Sequence, residues 1–279
     1  MARELRTATR TIRRMRLYGR RAMRVAPGRK PRHPCLFLHL PKCGGTSVAE
    51  ALYATVPIWE RITVLDAEST RRAAAILRCD LDDPLLGHDD LEHGADTFRL
   101  REQIMLAQMA WGSPLIHGHV LWSEAAERHF GEAYKIVTLM RDPVERTISN
   151  YRMARRRGIA AENFEDYIET PLAKAHARVF LRYLSGVALP DEEDIAQLTQ
   201  IAIGRLSACA VIGFLDDLDG FAAAFEREIG PRLRIPHFNA AEADDVAPSP
   251  AELDRIRTLC APDLEIYAAA RGLELRRAA

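Results

Sequence analysis

The sequence is poor in cysteine and has no long apolar run, and both shortages limit what the protein can be. Its five cysteines are an odd number, lie far apart and form no C-x-x-C pair. This argues against a disulfide framework or a zinc ribbon and favours a reducing cytosol. No apolar stretch approaches the roughly 18 residues that cross a bilayer, and the amino terminus lacks the apolar segment of a secretory signal. We therefore expect a cytoplasmic protein.

The net charge of the chain is zero, but this sum combines a basic N-terminal segment with an acidic remainder. The 279 residues include 39 basic and 39 acidic ones. Residues 1–33 hold twelve basic residues and one acidic residue, a net charge of +11, which leaves 27 basic and 38 acidic residues, a net charge of −11, for the rest. We predict a basic N-terminal arm or helix over 1–33 and one domain over 34–279.

The arm has two open interpretations. Its apolar residues recur at helical steps among the arginines, and such a stripe can lie on an anionic membrane surface, here the inner face of the membrane. The alternative is a solvated helix or a frayed tail that ends at Pro27-Gly28. We favour the second interpretation because basic tails are commonly mobile. We expect no nucleic-acid partner.

From residue 34 onward, short apolar runs alternate with helical patterns. The runs predict strands at Cys35–Leu40, Pro114–His117, Tyr134–Met140 and Ala210–Phe214. Helices are predicted at 47–55, 67–78, 98–110, 143–157, 172–184, 191–207, 217–229 and 249–259. The pattern indicates an α/β protein with a central parallel sheet flanked by helices. The acidic stretch Asp80–Asp96 is the predicted long loop.

The segment HLPKCGGTS begins at the end of the first predicted strand and opens into a helix. Glycines let backbone N–H groups approach an anion, a helix N-terminus adds a favourable dipole, and a lysine adds positive charge. It is not a Walker A loop, because the lysine precedes the glycines and no G-K-[ST] occurs. A plain strand–turn–helix corner is the alternative, but the P-K-x-G-G-T-S context favours a phosphate cradle. Its members are Lys42, Cys43, Gly44, Gly45, Thr46 and Ser47.

A second motif begins where the strand Tyr134–Met140 ends. Asp142 suits the N-cap of a helix, Pro143 its first position and Glu145 its third, as in a capping box. Arg141 then lies beside a helix N-terminus, and Ser149 lies two turns into the helix. An arginine with a hydroxyl suits a second phosphate. The alternative, a capped surface helix with an incidental arginine, is weakened by the presence of the first motif.

Both motifs carry a family resemblance. FLHLPKCGGTSVAEAL resembles the 5′-phosphosulfate loop of sulfotransferases that use 3′-phosphoadenosine-5′-phosphosulfate (PAPS), and VTLMRDPVERTISNY resembles their 3′-phosphate-binding segment. PLIHGHV resembles the His-Gly-His segment of the branch with heparan sulfate and uronyl 2-O-sulfotransferases, and RVFLRYLSG resembles the segment that closes over the nucleotide. The resemblance covers about residues 35–270. The family's Golgi members carry a transmembrane anchor, for which this sequence shows no apolar run.

The resemblance implies a three-layer, P-loop-like sulfotransferase fold and transfer of a sulfuryl group from PAPS to a hydroxyl of a carbohydrate or glycolipid, without a metal. Lys42 would stabilise the leaving phosphate. One of His117 and His119 would be the general base and the other would orient or stabilise charge; the sequence leaves the assignment open. The implied nucleotide contacts are Lys42, Cys43, Gly44, Gly45, Thr46, Ser47, Arg141, Ser149, Arg178, Ser185 and Gly186.

Other interpretations stay open. A nucleotide-dependent phosphotransferase would share the cradle, but the sequence offers no G-K-[ST] and no assignable Mg²⁺ ligand. A non-catalytic glycan- or membrane-binding protein could keep the same fold. The His-x-His pair can bind zinc, but no third ligand follows nearby. We interpret His88 and His93 as solvated loop residues, and Arg155–Arg157 as a solvated helix end that could also meet an anionic acceptor.

Overall fold

A computed structural model describes residues 15, 19, 31–57, 59–60, 62–235 and 247–278. Most of the arm over 1–33 lies outside these residues, so the predictions made for it stay predictions. Five parallel strands form one sheet in the order β2-β3-β1-β4-β5. They are β1 (Cys35–Leu38), β2 (Ile62–Leu65), β3 (Leu115–Gly118), β4 (Lys135–Met140) and β5 (Cys209–Phe214).

Helices connect the strands and cover the sheet, so the predicted α/β class is confirmed. They are α1 (Gly45–Tyr53), α2 (Ala67–Cys79), α3 (Gly94–Ala110), α4 (Glu124–Phe130), α5 (Pro143–Arg156), α6 (Phe164–Ile168), α7 (Pro171–Ala177), α8 (Val179–Ser185), α9 (Ile195–Arg205), α10 (Leu218–Glu228), α11 (Pro250–Leu259) and α12 (Ala261–Ala278). Among the residues described, no helix is both long and apolar enough to cross a membrane.

Strand β1 is the centre of the sheet and determines how the two faces are covered. All four of its residues are buried, as expected of a parallel strand with helices on both sides. Side chains alternate along a strand, and accordingly Phe37 packs in one apolar cluster with Leu52 of α1 and Phe225 of α10. Leu38 packs on the other face, in a cluster with Phe180 of α8. The result is three layers.

The order of the strands places a switch point at the carboxyl end of β1. This strand pairs with β3 on one side and with β4 on the other. The chain therefore leaves β1 towards β2 and β3 and then crosses to β4 and β5. In open α/β sheets, ligands bind in the crevice outside the carboxyl ends of the strands at such a point. Leu38 lies in register with Gly118 of β3 and Thr138 of β4. The loops that follow β1, β3 and β4 therefore lie side by side at the same edge of the sheet.

Several boundaries differ from the sequence predictions. Strand β2 was not predicted and lies in the stretch before residue 67. It gives little sequence signal, because it is a short edge strand of which only Leu65 is fully buried. The predicted helix 172–184 is interrupted at Arg178, which separates α7 from α8. The predicted helix 191–207 starts as a 3₁₀ turn at Glu192–Asp194. The short helices α4 and α6 and the long α12 were not predicted.

Candidate functional site

The loop between β1 and α1 has the backbone of an anion cradle. Lys42 has a φ of 63° and Gly44 a φ of 78°, both in the left-handed region. Alternation of left- and right-handed residues turns successive N–H groups towards one side, which forms a concave nest for an anion. Gly44 caps α1 without a side-chain hydrogen bond. Ser47 N–H donates to the Gly44 carbonyl oxygen at 3.2 Å, so the anion would be met by the amides that precede it in the loop and the first turn, where the helix dipole favours it.

The two glycines of the cradle are also required by packing. A Cβ atom on Gly44 would lie 2.4 Å from Leu215 Cδ1, and one on Gly45 would lie 1.9 Å from His39 Nε2. The Cys43 side chain is buried, and burial raises the pKa of its thiol to about 12. Cys43 can therefore offer an anion only its backbone. Thr46 is exposed and Ser47 half-buried.

Helix α5 brings the second motif to the cradle. Asp142 caps this helix and accepts hydrogen bonds from the N–H groups of Val144 and Glu145, so the predicted N-cap is confirmed. The Lys42 ammonium lies 3.8 Å from the sulfur of Met153. Ser149, Met153 and Arg156 are spaced i, i+4 and i+7, so they share one helix face. Ser149 and Arg156 therefore lie on the face that meets Lys42.

Positive charge accumulates around Lys42. Burial lowers the pKa of this lysine, and the positive charges of Arg156, Arg141 and Arg157 lower it further. Arg141 is paired with Glu145 at 3.2 Å and keeps part of its guanidinium exposed. Like charges held together in a half-buried site repel each other, and a bound anion relieves that repulsion. The cradle and α5 thus share one positively charged surface.

Three histidines stack at the carboxyl edge of the sheet, next to the cradle. His39 follows β1, and its ring centroid lies 5.0 Å from that of His117 and 4.3 Å from that of His119. His119 Nδ1 donates to the carbonyl oxygen of His39 at 2.7 Å. His117 Nε2 lies 2.9 Å from His39 Nδ1, and the Tyr53 hydroxyl lies 2.5 Å from His117 Nδ1.

These contacts give the two candidate bases different roles. A carbonyl oxygen only accepts, so the Nδ1 of His119 carries a hydrogen. Burial lowers the pKa of His119 to about 4 and that of His117 to about 3. Both rings are therefore neutral at pH 7. The Nε2 of neutral His119 carries a lone pair, with no hydrogen-bond partner among the described residues, whereas both ring nitrogens of His117 are engaged.

A buried ion cluster braces the segment that carries His119. The fully buried Arg101 donates to the His119 carbonyl at 3.0 Å and pairs with Asp89 at 2.8 Å. Asp89 also pairs with Arg71 at 2.9 Å. Burial opposes ionisation of Asp89, but Arg101 and Arg71 hold the pKa of this carboxyl well below its usual range. The predicted Asp80–Asp96 loop therefore has a structural function close to the site.

The prediction that His88 is a solvated loop residue is wrong. His88 is buried, because the loop folds back against α2 and α3 and carries its neighbour Asp89 into the ion cluster. Burial lowers the pKa of His88 to about 4. The positions of Arg156 and Arg157, both exposed where α5 ends, agree with the prediction of a solvated helix end.

The segment 178–186 is only partly adjacent to the histidines. Gly186 ends α8 with a φ of 78°, and a Cβ atom there would lie 2.7 Å from the carbonyl oxygen of Trp122. Ser185 is buried beside it. This end of α8 therefore supports the chain just after His119. Arg178 lies at the other end of α8, where its guanidinium binds Glu192 at 2.8 and 3.0 Å. The nucleotide contacts of these three residues stay predictions.

Sequence reasoning missed His39, Tyr53 and Arg101 as parts of the site. His39 stands inside the motif HLPKCGGTS, three residues before Lys42, so its position at a strand end was a usable signal. Tyr53 ends α1 and reaches the site through tertiary packing alone. Arg101 carries no local signal, because a fully buried arginine is rare and depends on its partners.

Comparisons with known proteins give no family for this chain. No family model matches the sequence, and no curated protein matches it significantly. Over the described residues, no group of three or more His, Cys, Asp or Glu is arranged to hold a metal ion. The case for a function therefore rests on the residues and their geometry.

Proposed function

We propose that this protein is a sulfotransferase that transfers the sulfuryl group of PAPS to a hydroxyl of a carbohydrate or glycolipid, on a P-loop-like sulfotransferase fold. One observation carries the proposal. A positively charged cradle, built around a left-handed Lys42, lies at the switch point of the sheet beside a neutral His119. Anion recognition and a proton acceptor are the two functions that sulfuryl transfer requires of a protein.

The charges of the site fit a nucleotide with two anionic ends. The amides of the loop, the first turn of α1 and Lys42 suit the 5′-phosphosulfate. Arg141 and Ser149 suit the 3′-phosphate, because a guanidinium fork and a hydroxyl donate to tetrahedral oxyanions. Ser149 shares its helix face with Met153, which contacts Lys42, so the two subsites are neighbours. The glycan nature of the acceptor rests on the family resemblance.

Different residues have different roles in the proposed transfer. In the transfer, the acceptor oxygen forms a bond to the sulfur of PAPS. The bond between that sulfur and the bridging phosphate oxygen breaks, and its electron pair stays on the bridging oxygen. Lys42 stabilises the negative charge that grows on that bridging oxygen. The Nε2 of His119 takes the proton of the acceptor hydroxyl, because it carries a lone pair and has no hydrogen-bond partner among the described residues. His117 and His39 hold the stack, and Arg101 fixes the His119 backbone.

The experiment that tests the proposal follows the sulfuryl group itself. Purified protein is incubated with ³⁵S-labelled PAPS and a panel of glycans, glycolipids and a host lysate, and the labelled product is identified. We expect label in a sulfate ester formed by the wild type and not by the Lys42→Ala variant. Bound nucleotide without label in any acceptor would favour the non-catalytic binding protein. Displacement of a PAPS analogue by ATP would favour the phosphotransferase.

A further inference from the structure

A polar cavity lies at the opposite end of the sheet from the cradle. Its volume is about 400 Å³, and its walls come from the starts of β4 and β5, the end of α10 and the last turn of α12. Lys135 begins β4 and Met140 ends it, five residues later. At about 3.3 Å per residue these strand ends are roughly 16 Å apart. The cavity is therefore separate from the site around Lys42.

The charges that line the cavity are mostly positive. Lys135, Arg227 and Arg277 contribute three positive charges and Glu228 one negative charge, a net charge of +2. Glu274 binds Arg277 at 2.7 Å from outside the lining, which brings the local sum to +1. Burial raises the pKa of the Cys209 thiol to about 12, so that lining residue is neutral. The cavity therefore favours an anion over a cation or an apolar ligand.

Arg277 is held in place before any ligand binds. Its Nη2 donates to the carbonyl oxygens of Ser207 at 3.2 Å and Cys209 at 3.0 Å, and its Nη1 donates to Glu274. A guanidinium has five N–H donors, so two have no partner in the described parts of 31–235 and 247–278: one on Nη1 and one on Nε. A guanidinium fixed by the backbone loses little side-chain entropy when an anion binds, which increases affinity.

The other two cations line the same cavity. Arg227 binds Glu228 through Nε at 2.8 Å, and neither of its terminal nitrogens has a partner among the residues that the structure describes. The Lys135 ammonium has no hydrogen-bond or ion-pair partner within the described part of the chain. We propose that this cavity is a second anion site, which binds a ligand with a phosphate group, held by Lys135, Arg227 and Arg277. Phosphate fits because guanidinium forks match its tetrahedral oxygens.

The probe for the first test is inorganic pyrophosphate, titrated into the full-length protein at constant ionic strength and followed by calorimetry. The test variant is the double substitution Lys135→Gln and Arg227→Gln, since both side chains are partly exposed and Arg277 also supports the backbone. The matched control is Arg257→Gln, an exposed arginine of α11 that pairs with Asp254. Loss of two charge-assisted contacts lowers affinity by about 100-fold. We expect that loss in the double variant only, with equal melting temperatures.

The cradle is a second place where pyrophosphate can bind, so the Lys42→Ala variant is titrated in parallel. The cavity component survives in Lys42→Ala, which keeps this proposal and the proposed function separable. A second arm measures sedimentation with phosphatidylcholine vesicles that contain phosphatidylglycerol. Vesicle binding that the double variant loses and the control retains, without pyrophosphate binding, identifies a lipid headgroup as the source of the phosphate. Equal binding of both probes by the double variant and the wild type overturns the proposal.

Discussion

His119 donates its Nδ1 hydrogen to the carbonyl oxygen of His39 at 2.7 Å, and this one bond fixes which nitrogen of His119 can accept a proton. The bond joins the loop after β3 to the loop after β1 across the switch point. It leaves Nε2 as the basic atom and sets the ring over His39. Single substitutions can therefore separate the roles of the three stacked histidines.

His119→Ala should lower turnover by roughly 10²–10⁴-fold, because it removes the proposed general base. His117→Ala should lower turnover less than His119→Ala does, because both ring nitrogens of His117 are engaged by protein groups and neither is available to a substrate. Burial sets the pKa of His119 to about 4. The wild-type rate should thus stay level from pH 8 to about 5 and fall only below it. An acidic limb near pH 6.5, with the folded fraction checked at each pH, would contradict a base whose pKa is lowered by burial.

Lys42→Gly should reduce turnover by about 10²-fold or more, because the positive charge that stabilises the leaving group is removed. The protein should lose no stability, because glycine adopts the left-handed conformation of residue 42 without strain. Asp80→Gly is the matched control. Asp80 is another described non-glycine residue with positive φ, 55°, at the end of α2. It should become more stable by on the order of 0.5–1 kcal/mol and keep full activity. Near-normal turnover in folded Lys42→Gly contradicts the assignment.

Arg141→Ala should weaken binding of 3′-phosphoadenosine-5′-phosphate by about 10–150-fold, the worth of one charge-assisted hydrogen bond. Binding of adenosine-5′-phosphosulfate, which lacks the 3′-phosphate, should change little. Arg257→Ala serves as control, since this exposed arginine lies on α11. Calorimetry with both nucleotides decides the matter, and an equal loss for both shows that Arg141 does not contact the 3′-phosphate.

Gly45→Ala should lower both stability and turnover, because the added Cβ would lie 1.9 Å from His39 Nε2 and push the imidazole out of the stack. Overpacking of this kind costs about 1–3 kcal/mol. Gly204→Ala is the control, because a Cβ on this helical glycine of α9 would meet no atom within 4 Å. It should gain about 0.5–1 kcal/mol from helix propensity and keep its activity. Urea unfolding and turnover are measured together; unchanged stability and turnover in Gly45→Ala refute the packing argument.

Acid should destabilise the protein through His88. Burial lowers the pKa of this histidine from 6.5 to about 4, so between those values the unfolded chain binds more protons than the folded one. The contribution of the neutral His88 to the free energy of unfolding is complete above pH 6.5 and is lost as the pH falls towards 4. At pH 5 the loss is about 2 kcal/mol. His88→Gln should therefore reduce the decline in unfolding free energy between pH 7.5 and 5 by about this amount, while the buried His117 and His119 keep their own contributions. The exposed His129→Gln should leave it unchanged.

The sequence predicted the parts of the molecule that depend on local pattern. The buried run of β1 and the Asp142 cap of α5 were readable because a few neighbouring residues determine them. Strand β2 was not readable, since its Ile62 and Val64 are only partly covered at the edge of the sheet. The bond between His119 and His39 joins residues 80 positions apart, and only the parallel register of β1 and β3 makes them neighbours.

The central position of β1 also affects how the chain folds. Thr138 of β4 donates to the carbonyl oxygen of Leu38, a partner 100 residues earlier in the chain. At a synthesis rate of about 5–20 residues per second, β1 emerges from the ribosome roughly 5–20 s before that partner exists. Until β3 and then β4 have been synthesised, the apolar strand β1 has unpaired edges and is open to aggregation. Slower growth at low temperature or additional chaperone should therefore raise the soluble yield more than a stabilising surface substitution does.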